Sequence, residues 1–548
     1  MLENFDPNTI ADEAVRQVVI YLMNVVETQQ ATIGKQAETI QRQSDEINRL
    51  KGEQGKPKIK ANKPTGDLSS EKERRESQPH QKAKKQSELK IDRVEVVKIA
   101  EERLPPDAQF KGYEEVIVQD IDLRTENIQF RKEKYYSPSR KQTYLADLPT
   151  GYQGQFGPRV RAWVLAWYYA GGMSEPKILE LLQTVGMHIS AGQLSDFLIK
   201  DQEQFHVERA NVLRAGLASS PWQHLDSTAT RVNGKNEQCH VLCNPFYTAY
   251  CTLPAKDRLS LLRVLMGGTD PVFRFTELAL KLWQQLGVAK KWCEKLAKLL
   301  PHEQDWSESQ LDAFLDEHLP TVGMQLRKLL KDGLAIAAYR TQTVWPVVEL
   351  FVCDDAPQFN WLTLELALCW IHEFRHYKKL TPHIPYHRHL LDTFKERFWK
   401  VYHKFLAYRS HPNPEDAHSL RAEFEQLFEQ TTGYHQLDER LALTLAKKEA
   451  LLMVLIHPEI LLHNNPAELG ARQRVRKRDV SLQARTKDGI AAWDTFETLV
   501  STAKKLGVNI YQYLHDRIVQ TNQFPSLATL IEERAKDLQF AASWRRVT

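Results

Sequence analysis

Cysteine is scarce in this chain: six residues among 548 (Cys239, Cys243, Cys251, Cys293, Cys353, Cys369), most of them in apolar runs. That usage excludes a disulfide-stapled secreted scaffold and points to reduced, buried thiols with no disulfide. No uninterrupted apolar stretch of about 18 residues occurs, so no membrane span is expected. The opening run MLENFDPNTIADEA is acidic and lacks the basic and apolar regions of a secretory signal, so the expected location is the cytoplasm. A large charge of one sign is missing as well: the net charge of +4 argues only weakly for a polyanionic partner.

What is present is an ordinary globular composition, 42% hydrophobic and 26% charged, in a chain long enough for about three or four domains. Basic residues are clustered rather than plentiful, in Lys51–Lys90 and in Arg472–Arg478, and local clusters are what neutralise phosphates.

From Val15 to Leu50 a heptad places Val19, Val26, Ile33, Ile40 and Ile47 at one position and Val15, Leu22 and Leu50 at the other. β-Branched residues at the first position favour a two-stranded coiled coil, hence a homodimer, while Gln29, Gln36 and Gln43 weaken the second seam. A single amphipathic helix docked on its own chain is the alternative. Residues 56–92 lack aromatics and carry many lysines, the composition of a basic linker that either tracks a DNA backbone or serves as a solvated tether. Short alternating runs between 91 and 148 (RVEVVKI, EEVIVQDI, NIQFRKEKYY, QTYLADL) predict a small β-rich module. Ser174–Thr184 and Ser190–Lys200 read as two helices joined across VGMHI, the second opened by an S-x-x-Q capping box, Ser190 with Gln193. Such a pair is a helix-turn-helix or a plain helical hairpin.

After Ser220 the pattern turns to strands: WQHLDSTATRV, EQCHVLCNP, TAYCTLP and later VVELFVCDD, with helical stretches at 270–340 and 385–456. This predicts an α/β protein whose mixed sheet is flanked and interrupted by helices. Three acidic positions stand where an element ends: Asp226 after WQHL, Asp354 and Asp355 after VVELFVC, and Glu468 at a helix start in HNNPAELGAR. Carboxylates gathered above a sheet hold two divalent cations about 4 Å apart, and hard oxygen donors suit Mg²⁺. Each has a plain structural reading too. Asp226 and the Asp354-Asp355 pair are ordinary turn formers, and Asn465 as N-cap, Pro466 and Glu468 make a good helix start.

The motifs HLDSTATRVNG, VCDDAPQF, LCWIH and LHNNPAELGARQRVRKRD, in this order, resemble the insertion-sequence 66 family of transposases. The resemblance spans roughly residues 100–540 and is most specific in its last motif. It implies a ribonuclease H-like core, double-stranded DNA as substrate, and an Asp-Asp-Glu triad binding two Mg²⁺ ions. Carried over residue by residue, the triad falls on Asp226, the Asp354-Asp355 pair and Glu468. Between the neighbours, Asp354 is the expected ligand and Asp355 the turn former. Relatives often carry a cysteine-rich zinc module before the core, but residues 93–150 here contain no cysteine, so no zinc is expected there.

Cys369 and His372 form a C-x-x-H pair, read either as a buried thiol with a packed histidine or as a histidine that orients a carboxylate or phosphate. Beyond Glu468 the helix carries Arg472, Arg474, Arg476, Lys477 and Arg478, expected to grip DNA phosphates. Trp283, Trp292 and Trp306 are the tryptophans considered for base stacking.

The resulting expectation has six parts: a coiled coil (1–55), a basic linker (56–92) and a small β and helix-turn-helix DNA-binding region (93–215); then a catalytic core (216–380) with a helical insertion at about 270–330, a second helical insertion (381–460), and the Glu468 helix with a helical C-terminus (461–548). The expected activity is DNA cleavage followed by strand transfer, at the nucleoid. A stand-alone Mg²⁺-dependent nuclease and a catalytically inactive DNA-binding derivative are the alternatives.

Overall fold

The computed structural model describes residues 5–51, 91–100, 103–105, 107–121, 123–152, 154–537 and 544. All of the expected basic linker but its last two residues lies outside them. The N-terminal heptads form one continuous 38-residue helix, α1 (Glu13–Leu50). Along the second half of α1, Ile33, Ile40 and Ile47 are exposed.

The β-rich region is smaller than its sequence suggests. Among its described residues only β1 (Lys134–Ser137) and β2 (Gln142–Leu145) pair, as an antiparallel hairpin. Among the described residues from 91 to 133 no strand forms, and Val94, Val97, Val118 and Ile121 face solvent. Alternation holds a strand only where a partner edge and an apolar surface receive it.

Four helices follow: α2 (Pro158–Leu165), α3 (Glu175–Thr184), α4 (Ala191–Ile199) and α5 (Glu203–Ala218). The α3–α4 pair falls where expected. Ser190 Oγ caps α4 by accepting the Gln193 N–H at 3.2 Å. Gly186, past the end of α3, takes a φ of +84°, a conformation glycine adopts without strain.

The central sheet has five strands in the order β5-β4-β3-β6-β7. An antiparallel meander of β3 (Trp222–Val232), β4 (Lys235–Cys243) and β5 (Thr248–Leu253) comes first. Helix α6 (Arg258–Leu265) and a helical insertion then intervene: α7 (Glu277–Gln285), α8 (Lys290–Leu299), α9 (Glu308–His318) and α10 (Met324–Thr341). The chain returns as β6 (Leu350–Cys353), parallel to β3, and β7 (Glu365–Leu368), parallel to β6.

Each face of the sheet has its own core. Leu225, Leu242, Phe351 and Cys353 pack with α2–α10 and with the C-terminal helices α17 (Lys487–Lys505), α18 (Ile510–Val519) and α19 (Leu527–Lys536). On the other face, Trp222, Leu350, Val352 and Ala367 meet the second insertion. That insertion follows α11 (Trp370–Lys378) and comprises α12 (Pro385–Ser410), α13 (Pro414–Phe428), α14 (His435–Leu445) and the single turn α15 (Lys448–Leu451). Its aromatic interior, with Trp370 among Phe398, Phe405 and Phe424, anchors α11 against the sheet.

The first half of α1 docks on this insertion. Glu27 is buried, and its carboxylate accepts the N–H groups of His383 at 2.6 Å and Ile384 at 3.1 Å, at the start of α12. Asn24 donates to the Gly433 carbonyl at 2.8 Å and accepts the His435 N–H at 2.9 Å, at the start of α14. The docked-helix reading of the heptads thus holds for the first part of α1, up to Glu27, and apolar residues beyond it are exposed.

Candidate active site

The register of β3 and β6 sets the first two carboxylates. Trp222, Gln223 and His224 pair with Leu350, Phe351 and Val352. Two residues beyond the last pair stand Asp226, still within β3, and Asp354, just past the end of β6. Alternation puts both on the face of Trp222 and Leu350. Contrary to the expectation, Asp226 does not end its strand: it lies within β3, opposite Val241, and β3 continues to Val232. What ends at this point is the pairing with β6, so the site opens where the parallel partner leaves.

Glu468 arrives from above, on α16 (Asn465–Ser481), which lies across β3 and β4. The approach is close: a Cβ on Gly470 would sit 2.6 Å from Val241 Cγ1, so only glycine permits it. The N-cap is Asn464, one residue earlier than the sequence suggests, and its side chain does not cap the helix. Asn464 Nδ2 instead donates to the Leu225 carbonyl at 2.8 Å, while its Oδ1 meets His224 Nδ1 at 3.1 Å. Burial drives the pKa of His224 down to about 3, so this imidazole is neutral.

The electrostatics record the convergence. Burial, then the charges of Asp354 and Glu468, raise Asp226 to about 6, against the opposing pull of the Ser227 N–H and Arg375. Arg375 Nη2 donates to Glu468 Oε2 at 3.1 Å, and its Nη1 lies 2.8 Å from His372 Nε2. His372 Nδ1 and Glu468 Oε1 face each other at 3.6 Å, both buried without a hydrogen-bond partner. Burial, opposed by Glu468, lowers the pKa of His372.

The two neighbouring aspartates divide their tasks differently from the expectation. Asp354 Oδ1 accepts the Ala356 N–H at 3.1 Å and so makes the turn itself. Asp355 pairs with Lys447 and lies 3.9 Å from His376. It cannot serve as the turn former because its carboxylate is drawn toward the second insertion. Burial would raise its pKa, but Lys447, His376 and Arg440 hold it below the usual range.

Among the described residues, two groups of side chains have donor atoms close enough to hold an ion, Cys369 with His372 and Glu468, and Asp355 with Glu373 and His376; neither includes Asp226 or Asp354. In the first, Cys369 is a buried thiol raised to about 12 by its burial, and its Sγ accepts the Asn464 N–H at 3.3 Å. It belongs to the scaffold rather than to the ligand set. The second is already neutralised by Lys447 and Arg440.

Comparison with known proteins identifies the family. Residues 153–260, from just before α2 to the start of α6 and including Asp226, match the model described as the Transposase IS66 family. The uncharacterized protein y4jO of Sinorhizobium fredii (strain NBRC 101917 / NGR234) is 30% identical over 333 residues, covering 59% of this chain and 100% of the relative. The chain belongs to the IS66 transposase family.

In this IS66-family chain the basic run after Glu468 splits in two. Arg472 and Arg476 are exposed. Arg474 is fully buried, bound to Asp494 at 2.6 Å and Glu497 at 2.7 Å on α17. Lys477 is buried too, donates to the Tyr168 carbonyl at 2.9 Å and is pulled down to about 7 by burial. Arg478 donates to the Ala229 carbonyl at 2.7 Å. Arg474 and Lys477 are thus internal clamps and offer DNA nothing, contrary to the expectation for these two. Trp283 is likewise buried, its Nε1 donating to the Leu330 carbonyl at 3.0 Å, while Trp292 and Trp306 pack against the same core. No helix among the described residues is long and apolar enough to cross a membrane.

Sequence reasoning missed Arg375, Asn464, Glu373 and Lys447. Arg375 had a signal, lying one helical turn after His372 on the same face.

Proposed function

We propose that the chain is a DDE transposase, cutting element ends and joining the freed 3′-hydroxyl to target DNA, with Asp226, Asp354 and Glu468 holding two Mg²⁺ ions. The observation that carries this reading is the mutual influence of three carboxylates near the edge where β6 leaves β3: Asp354 and Glu468 help raise Asp226 to about 6, and Glu468 Oε1 is buried without a hydrogen-bond partner. Such a cluster is costly unless a cation compensates it, and all-oxygen donors fit Mg²⁺. The mixed sheet supports a ribonuclease H-like core.

When bound, the cations supply an activated oxygen nucleophile and compensate the charge on the leaving oxygen. The chain's own residues prepare that chemistry. Asp226 presents its carboxylate from within β3, and Asp354 from the turn just after the neighbouring β6. Asn464 and Gly470 fix the height and tilt of α16 above them. Arg375 keeps Glu468 Oε2 occupied, so that Oε1 is the oxygen left for a ligand role. His372, whose pKa is lowered by burial, is placed to orient that carboxylate or a scissile phosphate.

In the first step the oxygen of water joins phosphorus as the P–O3′ bond breaks, and the 3′ oxygen leaves with a proton as a hydroxyl. In the second that hydroxyl attacks a target phosphate in line, so one P–O bond forms for each that breaks. Arg472 and Arg476 extend a basic face along α16 toward the DNA. Two copies would pair through Ile33, Ile40 and Ile47 of α1, and DNA as substrate puts the work in the cytoplasm at the nucleoid.

The test is cleavage and strand transfer by the full-length protein on duplexes bearing the element's ends. Asp226→Asn should abolish both while leaving DNA binding nearly intact, because an amide keeps the shape but loses the charge. Near-normal cleavage by that variant would rule out the triad.

A further inference from the structure

The second helical insertion reaches back to the catalytic strands through one ion network. Glu373, on α11, is almost wholly buried and is held by Arg440 and Thr444 from α14. Lys447, between α14 and α15, bridges Glu373 at 3.2 Å and Asp355. Asp355 is the immediate neighbour of Asp354, whose own carboxylate is turned by the Ala356 N–H. The loop after β6 is thus fixed on one side by the strand and on the other by a lysine supplied from 92 residues further along.

The cluster of Asp355, Glu373 and His376 resembles a metal site, but two carboxylates already face two cationic side chains, Lys447 and Arg440. Compensated charges of this kind hold a shape; they do not recruit an ion. Glu373 is tied into the insertion by its partners, whereas Asp355 is partly exposed and depends on Lys447.

We propose that Lys447 is a positioning residue for metal binding: by holding Asp355 against Glu373 it sets the direction in which Asp354 presents its carboxylate. The inference rests on the proposed metal triad. It gives the second insertion a part in the active site, since α14 and the turn before α15 supply both cations of this network. It also makes a counterintuitive prediction. Removing a positive charge near a cation site should by Coulomb attraction alone tighten cation binding, whereas loss of positioning should weaken it.

The experiment measures Mn²⁺ binding to the full-length protein by titration calorimetry, with the half-saturating Mg²⁺ concentration for cleavage as a second reading. Lys447→Met should raise the Mn²⁺ Kd and the half-saturating Mg²⁺ about tenfold or more, by analogy with partners one step removed from metal ligands. Lys447→Arg, which keeps the charge and donors, should recover most of the loss. Lys447→Gln loses the charge but keeps a donor for Asp355 and Glu373, and should still show a weakening, where Coulomb attraction alone predicts tightening, if Lys447→Met does not fold. An unchanged or lower Mn²⁺ Kd in these variants, with the wild-type protein binding normally, overturns the positioning role and leaves the triad standing. Wild-type protein that binds no Mn²⁺ overturns the metal reading and this inference with it.

Discussion

Asn464 Nδ2 donates to the Leu225 carbonyl at 2.8 Å and thereby ties the start of the Glu468 helix to the strand that carries Asp226. The bond is buried, and Asn464 also spends its Oδ1 on His224 and its N–H on Cys369. Asn464→Asp removes the donor but keeps the volume, leaving the Leu225 carbonyl unsatisfied at a cost of about 1–3 kcal/mol. The expected outcome is a lower thermal midpoint and a larger loss of cleavage than of DNA binding. A variant with unaltered cleavage would show that α16 is held by packing alone.

The basic run supplies the next contrast. Arg474 lies between Asp494 and Glu497, all three buried, so Arg474→Ala strands two carboxylates and should cost about 3–5 kcal/mol. Changing Arg472 and Arg476 to Ala should leave folding intact and reduce the logarithmic salt slope of DNA binding by about 0.9 for each phosphate that is no longer neutralised. Denaturant unfolding and salt-dependent binding separate the two effects. An unaltered slope would make the exposed pair merely solvated.

How much of this is legible in the sequence depends on where each residue's partner lies. Ser190 and Gln193, three residues apart, announce their cap, and the order of strands and helical insertions follows from local pattern. Glu468 stands out by its motif, yet the helix start falls one residue earlier than that motif suggests, because the side chain of Asn464 serves a strand 239 residues away. Arg474 and Lys477 read as surface because arginine and lysine on a helix usually are. The clue lies in AAWDTFETLV, where Asp494 and Glu497 stand one turn apart in an otherwise apolar helix and therefore require a buried cation. The alternating runs before residue 130 mislead in the opposite direction, since nothing local reports that a strand lacks a neighbour.

Association through α1 has its own test. Glu27 is buried against the second insertion, so deleting residues 1–55 would strip a packed surface as well as the proposed dimer seam. The cleaner variant replaces Ile33, Ile40 and Ile47 by Ser, all exposed and beyond the docked segment. Light scattering should then report a shift from dimer to monomer, with circular dichroism of the globular part unaltered. The same mass before and after would remove α1 as the pairing element.

Glu208 gives the fold a pH dependence away from the active site. Burial raises its pKa to about 7, against the pull of Arg517, and Tyr513 donates its hydroxyl to it. A carboxyl raised from 4.5 to about 7 binds more protons folded than unfolded between those values. Stability from this group is therefore present below about pH 4.5 and is lost as pH rises through 7, on the order of 3 kcal/mol. Glu208→Gln should flatten the fall in thermal midpoint across that window relative to wild type. Identical slopes for the two proteins would show that Glu208 titrates normally.

The pair Asp354 and Asp355 allows the sharpest discrimination. Asp354 follows the strand paired with that of Asp226 and contributes to the raised pKa of that residue. Asp355 points away from them, toward Lys447 and His376. Asparagine at 354 keeps the acceptor for the Ala356 N–H and hence the turn, but removes a negative charge from the site itself; cleavage should be lost at every Mg²⁺ concentration. Asparagine at 355 breaks the pair with Lys447 while leaving the three site carboxylates charged, so cleavage should be weak at low Mg²⁺ and recover as the ion is raised. Titrating Mg²⁺ against cleavage rate for both variants reads the difference directly. Recovery of Asp354→Asn at high Mg²⁺, with Asp355→Asn dead throughout, would transfer the ligand role to Asp355 and require the loop to turn over when the metal binds.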